Sequence, residues 1–397
     1  MPTAYVNKRH IRLEMFGAMA ATNPFIVFDS SSRLAMLSHH LDQAVTPKQS
    51  DIPRVMTGLE PQLEAFDIRM PVDAIIIEVH HKFRRGFDQN AIKANPYTTI
   101  IYQCQETGIY DTLDITNYNS KHRVFGIKYI LAPIVQQLRR GFHIPRGTVL
   151  ASSPNIKEGG IFSNGVSCNV VNLSLPCTIE DGYGVSESFC ERASLLELPT
   201  VSASWGKKTY PLNTYGNADI FKAYPDVGDT IRPDGLVFAL REYNSTFDAL
   251  EMSAKALMEI DMVHDIRIYG VPGAKVYDIT VESGIGESKS KTVTPAAISS
   301  QPERYVNHIK DYYAGIRQTE EMLIKSERNL RLSPRLTQLF TRAYADTPNA
   351  HGGKSNVGGI IRRTYKGIPL DEWRVEIKCH REVPIALGSK ITGYHGD

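Results

Sequence analysis

Apolar and β-branched runs recur along the chain and predict short strands. Residues 72–81 read Val-Asp-Ala-Ile-Ile-Ile-Glu-Val-His-His, an apolar run of the kind found in buried strands. Residues 97–104 are rich in threonine, isoleucine and tyrosine, which favour strands. Residues 168–176 alternate between apolar and polar side chains, which predicts a strand with one face in a core.

Two other stretches have the periodicity of helices. A cap formed by Asp29 and residues 30–32 precedes a run in which Leu34, Leu37 and Leu41 share one helix face. Residues 301–330 predict a long helix, and its spaced seam positions indicate packing in a helical hairpin or coiled coil, not chemistry. These seam positions are Tyr305, Ile309, Tyr312, Ile316, Thr319 and Leu323.

A glycine turn recurs in three places along the chain. Residues 144–150, 231–237 and 385–391 each contain an apolar residue, spacers, a glycine and a return to apolar residues. Such a recurrence is typical of a barrel built from similar strand–turn–strand units.

Composition and charge narrow the function classes. Among 397 residues, 42% are hydrophobic and 22% charged, as in ordinary globular proteins. The formal net charge is only +2, so any nucleic-acid site must be a local patch. The five cysteines include no C-x-x-C pair, which disfavours a zinc site or disulfide framework and favours a reducing compartment. No apolar run approaches membrane-spanning length.

Two charged motifs are candidates for chemistry. The chain ends with Leu387-Gly-Ser-Lys-Ile-Thr-Gly-Tyr-His-Gly-Asp397, in which Lys390 follows a glycine turn and offers a compact positive charge to a phosphate. Residues 177–188 read Cys-Thr-Ile-Glu-Asp-Gly-Tyr-Gly-Val-Ser-Glu-Ser, with adjacent carboxylates on Glu180 and Asp181. Adjacent carboxylates repel each other, and a nearby cation would relieve this repulsion. The alternative interpretation is a solvated acidic turn.

Together with residues 32–45 (Ser-Arg-Leu-Ala-Met-Leu-Ser-His-His-Leu-Asp-Gln-Ala-Val), these runs resemble the β subunit of cellular multisubunit RNA polymerases. The family's corresponding runs read roughly Asn-Arg-x-x-Met-x-x-x-x-x-x-Gln-Ala-Val, Glu-Asp-x-x-x-x-Ser-Glu and Gly-Asp-Lys-x-x-x-x-His-Gly-Asn-Lys-Gly. The order of the runs is the same here. The resemblance covers most of the chain, although it is thin between the motifs.

The resemblance implies a mixed α+β fold, mainly β, with a double-psi β-barrel of the β-subunit type and an inserted flap-like domain carrying long helices. It implies a division into a fork-like helical segment, the first part of the hybrid-binding and double-psi barrel region, a flap-like insertion and the last barrel strands with the Lys390 motif. The corresponding ranges are 1–60, 61–195, 196–360 and 361–397.

The implied function is that of one wall of the nucleotidyl-transfer site of a DNA-dependent RNA polymerase that transcribes phage genes. By resemblance, Lys390 contacts the RNA 3′ end or a phosphate, and Glu180 and Asp181 help to position the second metal or the basic residues around it. Either Lys121 or Arg123 addresses the triphosphate, and a solvated basic loop is the alternative for that pair. The remaining expected nucleotide- or nucleic-acid-binding residues are Arg33 and His395.

The resemblance also implies partners. In the family, Mg²⁺ is held by an Asp-x-Asp-x-Asp loop of the largest subunit, and no such run occurs here. We therefore expect Mg²⁺ to be bound mainly by a β′-like chain, with no metal held directly by this chain and no activity when it is alone. Other β fragments, template DNA, RNA and NTPs are the further expected partners, and a membrane is not.

The family's motif continues with a second lysine, whereas the sequence stops at Asp397. This end predicts a subunit split into separate chains, as in giant phiKZ-like bacteriophages, although a shortened chain or a spliced-on remainder would look the same. The implied location is the cytoplasm of an infected bacterium, a phage-made compartment within it, or the virion. The competing hypotheses are a non-catalytic barrel scaffold that binds proteins or nucleic acid, and an independent phosphate-handling enzyme.

Overall fold

The computed structural model describes residues 17–26, 28–60, 66–82, 97–122, 124–173, 176, 182–206, 208–243, 252–283, 296–327, 329–346 and 372–394. Over these residues the fold is mixed α+β and mainly β, with several antiparallel sheets and few helices. The helices are α1 (Ala18–Ala21), α2 (Ser31–Gln43), α3 (Glu187–Arg192), α4 (Ala296–Ser326) and α5 (Pro334–Asp346).

The strands before residue 190 are β1 (Ile68–Arg69), β2 (Ala74–His81), β3 (Thr98–Cys104), β4 (Tyr110–Ile115), β5 (Tyr118–His122), β6 (Phe125–Lys128), β7 (Ile130–Leu131), β8 (His143–Ile144), β9 (Val149–Ser152), β10 (Ile156–Lys157) and β11 (Ile161–Phe162). The later strands are β12 (Leu195–Glu197), β13 (Thr200–Gly206), β14 (Thr209–Pro211), β15 (Leu236–Glu242), β16 (Ile266–Tyr269), β17 (Lys275–Ser283) and β18 (Glu372–Val383).

The large sheet has nine strands in the order β16-β15-β14-β13-β18-β12-β6-β5, with β17 paired to the other edge of β18. Along β18 the antiparallel register runs without a shift from Leu195 opposite Val383 to Gly206 opposite Glu372, so β12 and β13 act as one continuous partner. Trp373, Val375 and Ile377 are buried in the core of this sheet. The alternate positions of β18 are polar, so its sequence matches one buried and one open face.

The end of the large sheet that carries β5 is strongly curled. Three strands (β6, β12 and β18) separate β5 from β17, which in a flat sheet would place them about 19 Å apart. Yet the ring centroids of Tyr118 on β5 and Tyr277 on β17 are 4.2 Å apart. No strand pairing joins β5 to β17 among the described residues, so the curl does not complete a closed barrel there.

The small sheet has four strands in the order β4-β3-β2-β8, and both of its faces are covered. Ile100 and Tyr102 of β3 face one apolar core, while Ile101 faces a second core that α4 and α5 complete. This double burial explains why β3 is nearly continuous in apolar and β-branched residues. The remaining sheets are small, with β1-β9-β7 in one and β10-β11 in the other.

Helix α4 connects the two large cores. Tyr305 near its start lies in the core of the large sheet, whereas Tyr312, Ile316 and Leu323 lie in the core shared by the small sheet and α5. The seam predicted for residues 301–330 is therefore confirmed as packing. It spans two separate cores and not one helical hairpin.

The predicted strands at 72–81 and 97–104 are confirmed by β2 and β3, and the predicted capped helix by α2, whose Ser30 hydroxyl accepts from the backbone N–H of Arg33. The predicted strand at 168–176 is wrong over residues 168–173, which form no strand. Val170, Val171 and Leu173 are 66%, 71% and 67% exposed. Because Val170 and Val171 are adjacent, no alternating pattern could have buried both on one face.

The recurring glycine turns are present as local structure. Gly147, Gly235 and Gly388 have φ values of 80°, 76° and 87°, a region that side chains with a Cβ rarely adopt. The first two turns lead into β9 and β15, which belong to different sheets. A domain boundary was predicted between residues 195 and 196. Strands from both sides of it, such as β6 and β13, belong to the same large sheet as β18. None of the described helices is both long and apolar enough to cross a membrane.

Candidate functional site

Lys390 lies just beyond the last strand of the large sheet. After β18 ends, the backbone N–H of Ser389 donates to the carbonyl of Ala386 at 3.0 Å and closes the turn that contains Gly388. Lys390 is exposed and forms no salt bridge with another described residue.

The segment that follows α2 forms a junction with residues 163–167. The backbone N–H of Asp51 donates to the carbonyl of Gly165 at 2.8 Å, and the hydroxyl of Thr46 donates to the side-chain oxygen of Asn164 at 3.2 Å. Thr46 is buried, so these bonds fix the end of the run 32–45 against a second part of the chain. We call residues 46–51 and 163–167 the junction.

The run 177–188 also leads to the junction. It continues into α3, whose last residue, Arg192, donates from Nη2 to Oδ2 of Asp51 at 2.7 Å. The same carboxylate oxygen accepts the backbone N–H of Ser167 at 2.8 Å. The backbone N–H of Lys48 donates to the carbonyl of Ser194 at 2.8 Å, which extends the contact beyond α3.

The C-terminal run approaches the junction from a third direction. A Cβ added at Gly165 would lie 3.9 Å from Cε2 of Tyr394, so the ring of Tyr394 lies close to this loop. Burial and the neighbouring Glu60 carboxylate both raise the pKa of Tyr394. A salt bridge between Lys48 and Glu382 also ties the junction to the end of β18. The described flanks of all three predicted runs thus meet at the junction.

The structure describes only some of the individual site residues that the sequence predicted. Lys121 lies on β5, next to the turn into β6, and Arg33 is exposed in the first turn of α2. The other predicted site residues fall outside the described residues. These are Glu180, Asp181, Arg123 and His395.

Sequence reasoning missed an aromatic and cationic cluster on the curled end of the large sheet. The ring of Tyr118 lies over Tyr277 and His380, at centroid distances of 4.2 Å and 5.0 Å. Lys128 places its Nζ 5.7 Å from the Tyr118 centroid. Tyr118 and Lys128 are near each other in sequence, but Tyr277 and His380 each lie more than 100 positions from them and from each other, so no local motif indicated the cluster.

The open face of the large sheet carries a polar cavity of about 450 Å³. Its floor alternates hydroxyl and charged side chains across β13, β18 and β17, including Ser202, Arg374 and Glu282. Within the described residues, no three His, Cys, Asp or Glu side chains are grouped closely enough to hold a metal ion. The expected Mg²⁺ binding by a partner chain remains a prediction.

No protein-family model and no curated protein sequence matches this chain.

Proposed function

We propose that this chain is a β-subunit-like part of a multisubunit, DNA-dependent RNA polymerase, in which it forms one wall of the nucleotidyl-transfer site. The observation that carries the proposal is the junction, at which the flanks of three motif-bearing runs meet although they lie far apart in sequence. A shared active-site wall requires such a meeting, because residues from separate runs must address one substrate.

Within the mixed α+β fold, we propose a double-psi β-barrel of the β-subunit type. The curl that brings Tyr118 to Tyr277 supports a barrel-like arrangement. A strand pairing between β5 and β17 in an experimental structure of the assembled enzyme would establish closure, and a persistent gap would argue against it.

In the proposed mechanism, Lys390 holds a fixed positive charge against the RNA 3′ end or a phosphate while negative charge develops during transfer. Glu180 and Asp181 help to position the second Mg²⁺ or the basic residues around it, and Lys121 or Arg123 addresses the triphosphate. The Mg²⁺ ions supply the Lewis-acid chemistry when a partner chain with the Asp-x-Asp-x-Asp loop binds them.

The experiment begins with purification of the native complex through a tag on this chain and identification of its partners by mass spectrometry. The proposal expects a chain with an Asp-x-Asp-x-Asp loop, Mg²⁺-dependent RNA synthesis from a DNA template, and additional β fragments. Recovery of this chain as a stable solitary monomer would instead favour a non-catalytic scaffold.

The second step compares Lys390→Ala with Lys255→Ala in the assembled enzyme. Loss of one fixed charge at the reacting phosphate should slow elongation by roughly 10²-fold without changing subunit composition. Lys255 is also exposed but lies outside the motif-bearing runs, just before Ala256–Met258, so its variant should elongate at the normal rate. An unchanged elongation rate in Lys390→Ala would refute the assigned role.

A further inference from the structure

The ring cluster on the curled end of the large sheet is partly exposed over the residues that the structure describes. The Tyr118 ring is stacked on His380 and lies tilted against Tyr277, and the centroids of these two partners are only 6.3 Å apart. Rings on opposite faces of Tyr118 would be further from each other, so both partners lie beneath the same side of the Tyr118 ring. All three rings are partly exposed, and Nζ of Lys128 lies over the Tyr118 ring, 5.7 Å from its centroid.

Two exposed lysines flank these rings through the strand register. Lys128 on β6 lies directly opposite Tyr118 on β5, and Lys275 on β17 lies directly opposite His380 on β18. Because opposite residues of an antiparallel pair project from the same face, both ammonium groups are on the same side as the rings. The cluster therefore combines aromatic surface with positive charge.

Two of the nearby carboxylates are engaged with other cations, while Glu376 also lies close enough to Tyr277 to raise its pKa. Asp278 pairs with Lys378 at 3.5 Å, and Glu382 forms its salt bridge with Lys48. Neither Lys128 nor Lys275 makes a salt bridge with any residue that the structure describes. An excess of positive charge is left beside the rings.

The ionisation of the rings agrees with this charge balance. Burial lowers the pKa of His380, and the positive charges of Lys128 and Lys275 lower it further, against the opposing effect of Glu382. Burial raises the pKa of Tyr118 to about 12, so its ring stays neutral near pH 7. An anion bound between the lysines would oppose the effect of the lysines on His380.

We propose that Tyr118, Tyr277, His380, Lys128 and Lys275 form a binding site for single-stranded nucleic acid, with a base stacked on Tyr118 and neighbouring phosphates held by the lysines. Stacking on an aromatic ring and lysine–phosphate contacts are the two components of sequence-tolerant single-strand binding. A duplex cannot use the site in this way, because its base faces are covered. Neither Lys390 nor Mg²⁺ takes part, so the site does not require polymerase activity.

The first test measures binding of fluorescein-labelled octauridylate to the full chain by anisotropy over a range of salt concentrations. Lys128→Ala combined with Lys275→Ala should weaken binding roughly tenfold and reduce the slope of log affinity against log salt by about 1.4, from two lost phosphate contacts. The matched control combines Lys208→Ala with Lys255→Ala, which removes the same charge at exposed positions elsewhere. The control should leave affinity and slope unchanged.

The second test separates base stacking from charge. Tyr118→Leu should weaken octauridylate binding roughly tenfold but leave binding of an abasic oligomer of equal charge unchanged. Histidine NMR, with His380→Gln for assignment, should show the pKa of His380 rising when octauridylate binds. Circular dichroism checks folding, and the exposed lysine variants still provide the test if Tyr118→Leu does not fold.

Three results would overturn the assignment. Equal octauridylate affinity in the native chain and the Lys128/Lys275 double variant would remove the lysines from the site. Equal affinity for a duplex of the same length would exclude base stacking. Competition by inorganic tripolyphosphate at the same concentration as octauridylate would show an anion patch that does not recognise bases.

Discussion

Both halves of α4 are buried in apolar cores, but the N-terminal half adds an ionic network around Asp226. In the N-terminal half, Arg304 and Tyr305 donate to the Asp226 carboxylate at 2.6 Å and 2.8 Å, and Lys222 pairs with the same group at 3.0 Å. In the C-terminal half, Ile316 and other apolar side chains are buried against α5 and the small sheet.

One helix is thus held against two sheets by contacts whose stability responds to different perturbations. The Asp226 network depends on charge and hydrogen-bond geometry, so it should respond to pH. The apolar contact depends on volume and buried area, so it should respond to cavities and hardly at all to charge. Substitutions in each half can test this contrast.

The largest effect is expected in the apolar half. Phe340→Ala removes a side chain that is 2% exposed between α5 and α4 and leaves a cavity, so unfolding free energy should fall by about 3–5 kcal/mol. Urea denaturation measures this loss. Gln338→Ala, at an exposed position of the same helix, should change stability by less than about 0.5 kcal/mol. Similar losses in both variants would mean that α5 is not held by packing.

An intermediate effect is expected at Asp226. Asp226→Asn removes the charge that Lys222 and Arg304 share, so the chain should lose about 2–3 kcal/mol of unfolding free energy at pH 7. Burial acts to raise the pKa of Asp226, but Lys222, Arg304 and the Tyr305 hydroxyl outweigh it and lower that pKa below its ordinary value.

The sign of the pH dependence follows from that lowered pKa. The carboxylate stabilises the fold fully at pH values above its unfolded pKa of about 3.9, and the contribution is lost as pH falls through the lower folded pKa. The stability difference between the native chain and Asp226→Asn should therefore shrink below about pH 4. Exposed Asp219→Asn should give no such trend, and a pH-independent difference at Asp226 would contradict the network.

The smallest effect is expected from a polar atom in the apolar half. The hydroxyl of Tyr312 is 2.7 Å from that of Thr99, and Tyr312→Phe removes this hydrogen bond while keeping the ring. Unfolding free energy should fall by about 1 kcal/mol, since Thr99 retains its bond to Asp114. Tyr269→Phe, at a side chain that is 51% exposed, is the control. A loss as large as that of Phe340→Ala would remove the distinction between the two halves.

Local periodicity predicted the elements that need only their own residues. The capped helix α2, the strands β2 and β3 and the long helix α4 all match the expected positions. Residues 168–173 did not, because two adjacent valines cannot share one face of a strand and no described neighbour pairs with the segment. Their failure shows that apolar content alone does not make a strand without a partner edge.

The candidate sites also divide into those that a local sequence pattern indicates and those that only the tertiary structure creates. Lys390 and the motif runs were visible in the sequence because each lies in a short local pattern. The salt bridge between Asp51 and Arg192 was not visible, since 141 positions separate its partners. The contacts among the rings of Tyr118, Tyr277 and His380 were not visible for the same reason, because the curl of the large sheet creates them.

The sequence by itself determined α2, α4, β2 and β3 and which face of β18 is apolar, because those properties depend on neighbours a few residues away. Only the tertiary structure decided that α4 joins two cores, that three distant runs meet at one junction, and that two exposed lysines flank a set of rings. The physical reason is that strand register and sheet curl are set by the packing of the whole chain, and they alone bring remote side chains within contact distance.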